Sequence, residues 1–212
     1  MNFEEKFNYL KNISLLESVS ETGIKEIVNL LDEEEINQHE IFISQDEAAL
    51  KVYFIVEGVV RVYRITEKGD EIGLSILGSG EIIGELAFLD HENRSASVQA
   101  MQNLKLFALS GKTFEKLLYK YPQIGINLLK VLSKRIKENG VFLEEALSKN
   151  LKQRTWDMLK ILTIYFPHGN ISISQEELSL IIGATRSRVT EVLNILQQEG
   201  KIKLSHKNIC VM

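Results

Sequence analysis

Cysteine, histidine and long apolar runs are all scarce in this sequence, and each shortage excludes a class of protein. Cys210 is the only cysteine, which rules out intrachain disulfides and cysteine-rich metal clusters and fits a reducing, cytoplasmic setting. The four histidines are scattered without metal-ligand spacing, so we expect no metal. No apolar run approaches the roughly 18 residues of a membrane-spanning helix, and MNFEEKFNYLKN does not resemble a signal peptide. We expect a cytoplasmic protein that does not contact a membrane.

The net charge of −4 is unevenly distributed along the 212 residues. Residues 1–150 hold seventeen Lys or Arg and twenty-four Asp or Glu, a balance of −7, whereas residues 151–212 hold eight and five, a balance of +3. A basic terminal domain on an acidic body attracts phosphate locally and repels it elsewhere. This asymmetry alone does not identify a nucleic-acid binder.

The pattern of apolar residues changes from helical to β and back to helical. Residues 3–38 have the spacing of short helices, and residues 39–109 hold runs such as KVYFIV and EIGLSIL separated by Gly-containing turns. In VVRVYR, Val60 and Val62 alternate with Arg61 and Tyr63, the period of a half-buried strand. Many short strands with frequent turns predict a sandwich or jelly-roll barrel.

A long helix with an apolar seam is predicted after Pro122. The seam residues step by three and four, as in a heptad repeat: Leu129, Leu132, Ile136, Asn139, Leu143, Ala146 and Asn150. Since the chain supplies one such helix, a second copy is the favoured partner, and we expect a homodimer. The alternative is that the seam packs on the chain's own β-domain. Phe142, Leu147 and Leu151 form a second apolar face that could do so.

Two short helices joined by a tight turn follow the segment FPHGN. Ser174 and Glu177 form a capping box, Gly183 ends the first helix, and Thr185 can cap a second helix. The buried stripe of that second helix is predicted to be Val189, Val192, Leu193 and Leu196. The arrangement is a helix-turn-helix, and KIKLSHKNICVM alternates around His-Lys-Asn as a small hairpin or wing would.

The outer face of the second helix carries residues that can read DNA. Arg186 and Arg188 can bond guanine, and Glu191 can accept from the cytosine amino group. Thr190 and Ser174 can bond phosphate. A solvated helix face is the alternative reading, and we favour binding to double-stranded DNA because a capped helix precedes the arginines and a wing follows them.

The segment GELAFLDHENRSAS raises the question of a ligand. Glu85 can accept from a ribose hydroxyl, while the planar guanidinium of Arg94 fits phosphate oxygens. Ser95 and backbone N–H groups could complete a phosphate shell, and we expect Glu85 and Arg94 to neutralise each other. A surface turn with solvated charges is the alternative.

The order of these parts resembles the Crp/Fnr family of bacterial transcription regulators, named after the cAMP receptor protein and the fumarate-nitrate regulator. The resemblance is carried by YFIVEGVVRV, GSGEIIGELAFLDHENRSASV and QEELSLIIGATRSRVTEVL and extends from about residue 8 to 212. It implies an α+β fold with three parts: a jelly-roll cyclic-nucleotide-binding β-roll (1–122), a dimerisation helix with hinge (123–150) and a winged helix-turn-helix (151–212). It also implies regulation by a cyclic nucleotide, most simply cAMP, and binding to a palindromic operator and to RNA polymerase.

The resemblance also assigns site residues. The implied ligand residues are Gly84, Glu85, Leu86, Arg94, Ser95 and Asn139. The implied DNA-binding residues are Ser174, Gln175, Thr185, Arg186, Ser187, Arg188, Thr190 and Glu191.

The sequence departs from the family pattern in three places. Where the cAMP receptor has a Thr-Ser pair facing adenine, this chain has Asn139 and Gly140, so Asn139 is a base contact, a register device in the seam, or both. The recognition helix carries Ser187, Glu191 and an additional Arg188, which predicts a different operator. The loop that contacts RNA polymerase is shortened to FPHGN.

Two other functions stay open at this point. The chain could be a regulator of the same family that needs no ligand or senses another small anion. It could also be an enzyme with a cupin-like barrel, but that requires clustered His and Glu ligands, and the β-domain histidines, His39 and His91, lie at its edges. We expect a regulator rather than an enzyme.

Overall fold

The computed structural model describes residues 1–205 and 207–212, without the side chain of Pro167. His206, in the turn of the predicted wing, is therefore outside the described residues. The chain divides into two compact units, residues 1–62 with 76–138 and residues 63–75 with 139–212. Across the part of the chain that the structure describes, no helix is both long and apolar enough to cross a bilayer.

Two capped helices open the first unit. They are α1 (Phe3–Lys11) and α2 (Glu21–Val28), separated by a 3₁₀ turn at Ser14–Leu16. Their inner faces pack, together with Phe54 and Phe107 of the β-strands, into one buried apolar cluster. The predicted entry helices are confirmed.

Eight strands form a β-roll of two four-stranded sheets. The strands are β1 (Asp32–Ile36), β2 (Ile41–Ile43), β3 (Lys51–Glu57), β4 (Val60–Ile65), β5 (Glu71–Leu77), β6 (Ile82–Ile83), β7 (Ser97–Ala100) and β8 (Leu104–Ser110). One sheet has the order β1-β8-β3-β6 and the other β2-β7-β4-β5. The pairs β1·β8, β8·β3, β3·β6 and β2·β7 are antiparallel. The predicted jelly-roll class is confirmed.

The sequence reading was wrong about β1 and β4. β1 lies inside the range predicted as helical, because its acidic residues pair as an edge strand along β8, from Asp32 opposite Ala108 to Ile36 opposite Leu104. β4 is buried on both faces in its first half, where Arg61 and Tyr63 are 6% and 2% exposed. Arg61 tolerates burial because its Nε donates to the side chain of Gln99 at 2.6 Å.

Three further helices belong to this part of the chain: one lies between β6 and β7, and two follow β8. They are α3 (Leu86–Leu89), α4 (Gly111–Lys120) and α5 (Pro122–Ser148). The sequence reading did not predict α3 or α4. It did predict α5, on which Leu129, Ile136 and Leu143 are 68%, 72% and 61% exposed. These three seam residues are mostly uncovered within the described chain, whereas Leu132 of the same seam packs against the buried cluster of the first unit.

The helix-turn-helix lies in the second unit. The elements are α6 (Leu151–Tyr165), a 3₁₀ turn (Pro167–Gly169), β9 (Asn170–Ile171), α7 (Gln175–Ile182), α8 (Arg186–Gln198), β10 (Ile202–Ser205) and β11 (Asn208–Val211). β10, β11 and β9 form a small antiparallel sheet in that order, of which β9 was not predicted.

Most of the predicted signals in this unit are confirmed, with one exception. The Ser174–Glu177 capping box opens α7, and Gly183 ends it in the left-handed region at φ +68°. The predicted stripe of α8 is buried. Thr185 holds the N-cap position of α8, but its side chain makes no capping hydrogen bond. Its hydroxyl lies 3.3 Å from that of Ser187 instead.

Candidate functional site

A cavity of about 80 Å³ lies inside the first unit, between the β-roll, α3 and α5. Five of the six predicted ligand residues line it: Gly84, Glu85, Leu86, Arg94 and Ser95. The other lining residues are Ile43, Val62, Leu77, Ile83, Ala87, Ala96, Val98 and Arg135. The acid and the guanidinium singled out from the sequence therefore do lie at one cavity.

Gly84 allows the guanidinium of Arg94 to lie directly against the backbone at the cavity. Its φ is +80°, which side chains other than glycine rarely adopt. A Cβ on Gly84 would also lie 2.4 Å from Nη1 of Arg94. Any larger residue at this position would displace the arginine.

Arg94 is held by backbone carbonyl groups. Its Nη1 donates to the carbonyl of Gly84 at 2.8 Å, and its Nη2 donates to that of Lys51 at 2.7 Å. The residue is 5% exposed, and burial lowers the pKa of its guanidinium. Its Nε is buried without a hydrogen-bond partner. The Nε of Arg135, which also lines the cavity, is likewise buried without a partner, so two unpaired donors lie among the lining residues. An unpaired buried donor is costly.

Glu85 is paired with Arg135 of α5, a partner that the sequence did not indicate. Nη1 of Arg135 donates to Oε1 of Glu85 at 2.7 Å, and its Nη2 donates to the carbonyl of Ile82 at 2.7 Å. Glu85 is 2% exposed. Burial raises the pKa of its carboxyl, and the positive charge of Arg135 offsets part of that increase. The charge of Arg94 also lowers the pKa of Glu85, though less than that of Arg135, so the expected neutralisation holds in part.

Sequence reasoning missed Arg135. The available signal was its position on the long helix, four residues before Asn139 and therefore on the same helix face. Asn139 is exposed and is not among the residues that line the cavity. Its proposed contact with the base stays a prediction.

Comparison with known proteins identifies the family to which this cavity-containing domain belongs. Residues 33–121 match the family model described as the cyclic nucleotide-binding domain. The "Cyclic AMP receptor protein" of Thermus thermophilus is 31% identical over 76% of this chain and 74% of its own length. The chain belongs to the Crp/Fnr family of transcription regulators. A "Global nitrogen regulator" of Synechococcus elongatus is 28% identical over 81% of each chain.

A solved structure shows the Crp/Fnr fold over nearly the whole chain. The c-di-GMP-responsive global regulator CLP of Xanthomonas campestris superposes with a TM-score of 0.78. It covers 91% of this chain and 99% of CLP at 19% identity, which is a likeness of fold alone. The relatives are transcription regulators, which confirms the expectation of a regulator rather than an enzyme.

Six of the eight predicted DNA-binding residues of this Crp/Fnr chain lie at the start of α8. Four of them are exposed in succession, namely Thr185, Arg186, Ser187 and Arg188, and Glu191 is exposed one turn later. Ser174 and Gln175 lie at the start of α7. The hydroxyl of Thr190 donates to Oε1 of Gln175 at 2.6 Å, so these two residues join the helices. Nη1 of Arg186 lies 3.5 Å from a carboxylate oxygen of Glu176.

A metal centre takes its usual ligand set from His, Cys, Asp or Glu side chains. Among the described residues, no group of three or more His, Cys, Asp or Glu side chains could hold a metal ion. His39, His91 and His168 lie in turns with positive φ.

Proposed function

We propose that this chain is a homodimeric transcription regulator that binds a palindromic site in double-stranded DNA under the control of a cyclic nucleotide, most simply cAMP. The nucleotide binds in the cavity of the β-roll, and no metal takes part. The protein works in the cytoplasm, where its DNA is, and RNA polymerase is its further partner.

One observation carries the ligand part of the proposal, namely the buried guanidinium of Arg94 beside the cavity. Two of its nitrogens are fixed by backbone carbonyls, while Nε is buried without an acceptor. A cyclic phosphodiester supplies an anionic oxygen, and a charge-assisted hydrogen bond to it would satisfy that donor. Glu85 would then accept from the ribose hydroxyl, and Ser95 would add a donor at the exposed edge.

Titration with nucleotides tests this part directly. Calorimetry of the purified protein should show saturable binding of cAMP, with cGMP and c-di-GMP as competitors that identify the base. Absence of both heat and a thermal shift at millimolar concentrations of all three would refute the ligand claim. Mass spectrometry of ligand released from the purified protein would identify a different effector.

The dimer part of the proposal follows from the exposed seam of α5. Leu129, Ile136 and Leu143 lie on one face of a 27-residue helix and are more than half exposed. Apolar residues repeated at this spacing are typical of helices that pack along a second helix. A second copy places two recognition helices on one duplex, with half-sites about one helical turn apart.

The DNA part rests on the exposed start of α8, where two arginines project beside the capped α7. Selection of bound sequences from a random duplex pool should return a two-fold symmetric site. Anisotropy measured with and without cAMP would then show whether the nucleotide controls affinity.

The small cavity supports a second candidate, a regulator of the same family that senses another small anion. Its volume of about 80 Å³ is below the roughly 300–1,000 Å³ of typical ligand sites, so a nucleotide requires the cavity to widen. Full-affinity operator binding by protein stripped of nucleotide would favour this candidate or a ligand-independent regulator.

A further inference from the structure

Phe88 of α3 lies close to both Arg94 and the first residue of α4. The Cζ of Arg94 is 5.7 Å from the centroid of the Phe88 ring, within the range of a cation–π contact. The same ring fills the space beside Gly111, where a Cβ would lie 1.7 Å from its Cε1 and 2.3 Å from its Cζ. Gly111 is buried and its φ is not in the left-handed region. Its lack of a side chain is therefore required by the ring and not by the backbone.

A backbone connection joins the same two places. The N–H of Gly111 donates to the carbonyl of Leu50 at 3.0 Å. The next carbonyl, that of Lys51, accepts from Nη2 of Arg94 at 2.7 Å. Two consecutive carbonyls therefore fix the start of α4 and the guanidinium, while the Phe88 ring contacts both.

We propose that Phe88 and Gly111 are positioning residues for the anion site. The ring of Phe88, seated on Gly111, holds the guanidinium of Arg94 so that its free Nε–H is presented to the phosphate of the bound nucleotide. The proposal rests on the function proposed above, and it assigns a role to two residues that do not line the cavity.

The physical reason is preorganisation. A guanidinium whose orientation is already fixed loses little conformational freedom when an anion binds, so more of the interaction energy appears as affinity. Ordinary core packing is the competing explanation, since Phe88 also packs against the buried cluster of the first unit. Core packing alone predicts a loss of stability without a specific loss of nucleotide affinity.

Two substitutions remove the contact without touching a residue that lines the cavity. Gly111→Ala should displace the ring, and Phe88→Leu keeps an apolar side chain but removes the aromatic face. Each should weaken cAMP binding about tenfold by calorimetry. The double variant should bind cAMP no more weakly than the weaker-binding single variant, because both substitutions break the same contact. Lys112→Ala and Leu89→Ala, exposed neighbours in the same helices, are the matched controls and should bind like wild type.

A measurement on the ligand-free protein tests the positioning of Arg94 independently of nucleotide binding. The ¹H–¹⁵N signal of the Arg94 Nε–H, assigned by its loss in Arg94→Lys, should shift in Gly111→Ala and Phe88→Leu but not in the two controls. If wild type bound no nucleotide, the proposed function would fail, and this signal alone would decide the positioning claim. An unchanged signal, or cAMP affinity within twofold of wild type in both variants of folded protein, would overturn it.

Discussion

Replacing Arg94 by lysine tests the central claim, because it keeps the positive charge and removes the fork of donors. The arginine makes two hydrogen bonds to backbone carbonyls, at 2.8 Å from Gly84 and 2.7 Å from Lys51, and has a third donor free at Nε. A lysine ammonium can replace one of these bonds but cannot reproduce the geometry of all three.

The magnitude follows from the bonds lost. A hydrogen bond to a charged group contributes about 1.5–3 kcal/mol. Loss of the phosphate bond at Nε should therefore raise the Kd for cAMP roughly 10- to 150-fold. Loss of one backbone bond should lower the free energy of unfolding of the ligand-free protein by about 1.5–3 kcal/mol.

Calorimetry gives the first quantity, and urea unfolding without ligand gives the second. Arg64→Lys, the same change at an exposed arginine of β4, is the control and should alter neither. If Arg94→Lys bound cAMP within twofold of wild type, the guanidinium would not be the phosphate ligand and the cavity would need another explanation.

Three further predictions concern pH, assembly and DNA. Because burial raises the pKa of Glu85, cAMP affinity should be highest at pH values well above that pKa, where the carboxyl is ionised. The affinity should fall as the pH is lowered through that pKa, and the fall should begin at a higher pH than for an exposed carboxylate. Calorimetry across pH should show this slope, and Glu85→Gln should abolish it. If the proposed dimer forms through α5, Ile136→Glu should convert it to monomer in light scattering, since each copy would present a charge to the partner's seam. Arg188→Ala should weaken operator binding about 5- to 150-fold in anisotropy at fixed salt, by loss of a base or phosphate bond.

Each of these has a matched control. Glu81→Gln and His91→Gln should keep the pH dependence of cAMP affinity, although burial also raises the pKa of Glu81. If the pH dependence survived in Glu85→Gln, it would come from a group other than Glu85. Lys137→Glu, exposed beside the seam, should leave the dimer intact, and a dimeric Ile136→Glu would place the interface elsewhere. Lys116→Ala on α4 should bind DNA normally, and equal binding by Arg188→Ala would remove that residue from the interface.

Local signals in the sequence were sufficient for the entry helices, α5, α7 and α8, but not for α3 or α4. The Ser174–Glu177 box and Gly183 predicted both ends of α7, because capping and left-handed termination depend on residues a few positions apart. Chemistry singled out Glu85, Arg94 and Ser95, the family resemblance added Gly84 and Leu86, and all five line one cavity.

Only the tertiary structure decided which groups are partners. Arg135 lies 50 positions from Glu85, and the carbonyl of Lys51 lies 43 positions from Arg94, so no local pattern could show either contact. The acidic β1 was missed for the same reason, because it is a strand only through its pairing with β8, which is distant in the sequence. The sequence by itself determined most of the helices and strands, the charges and five of the residues that line the cavity. The pairing of those charges depends on chain segments brought together by folding, and only the folded chain decided that Arg94 keeps a free donor.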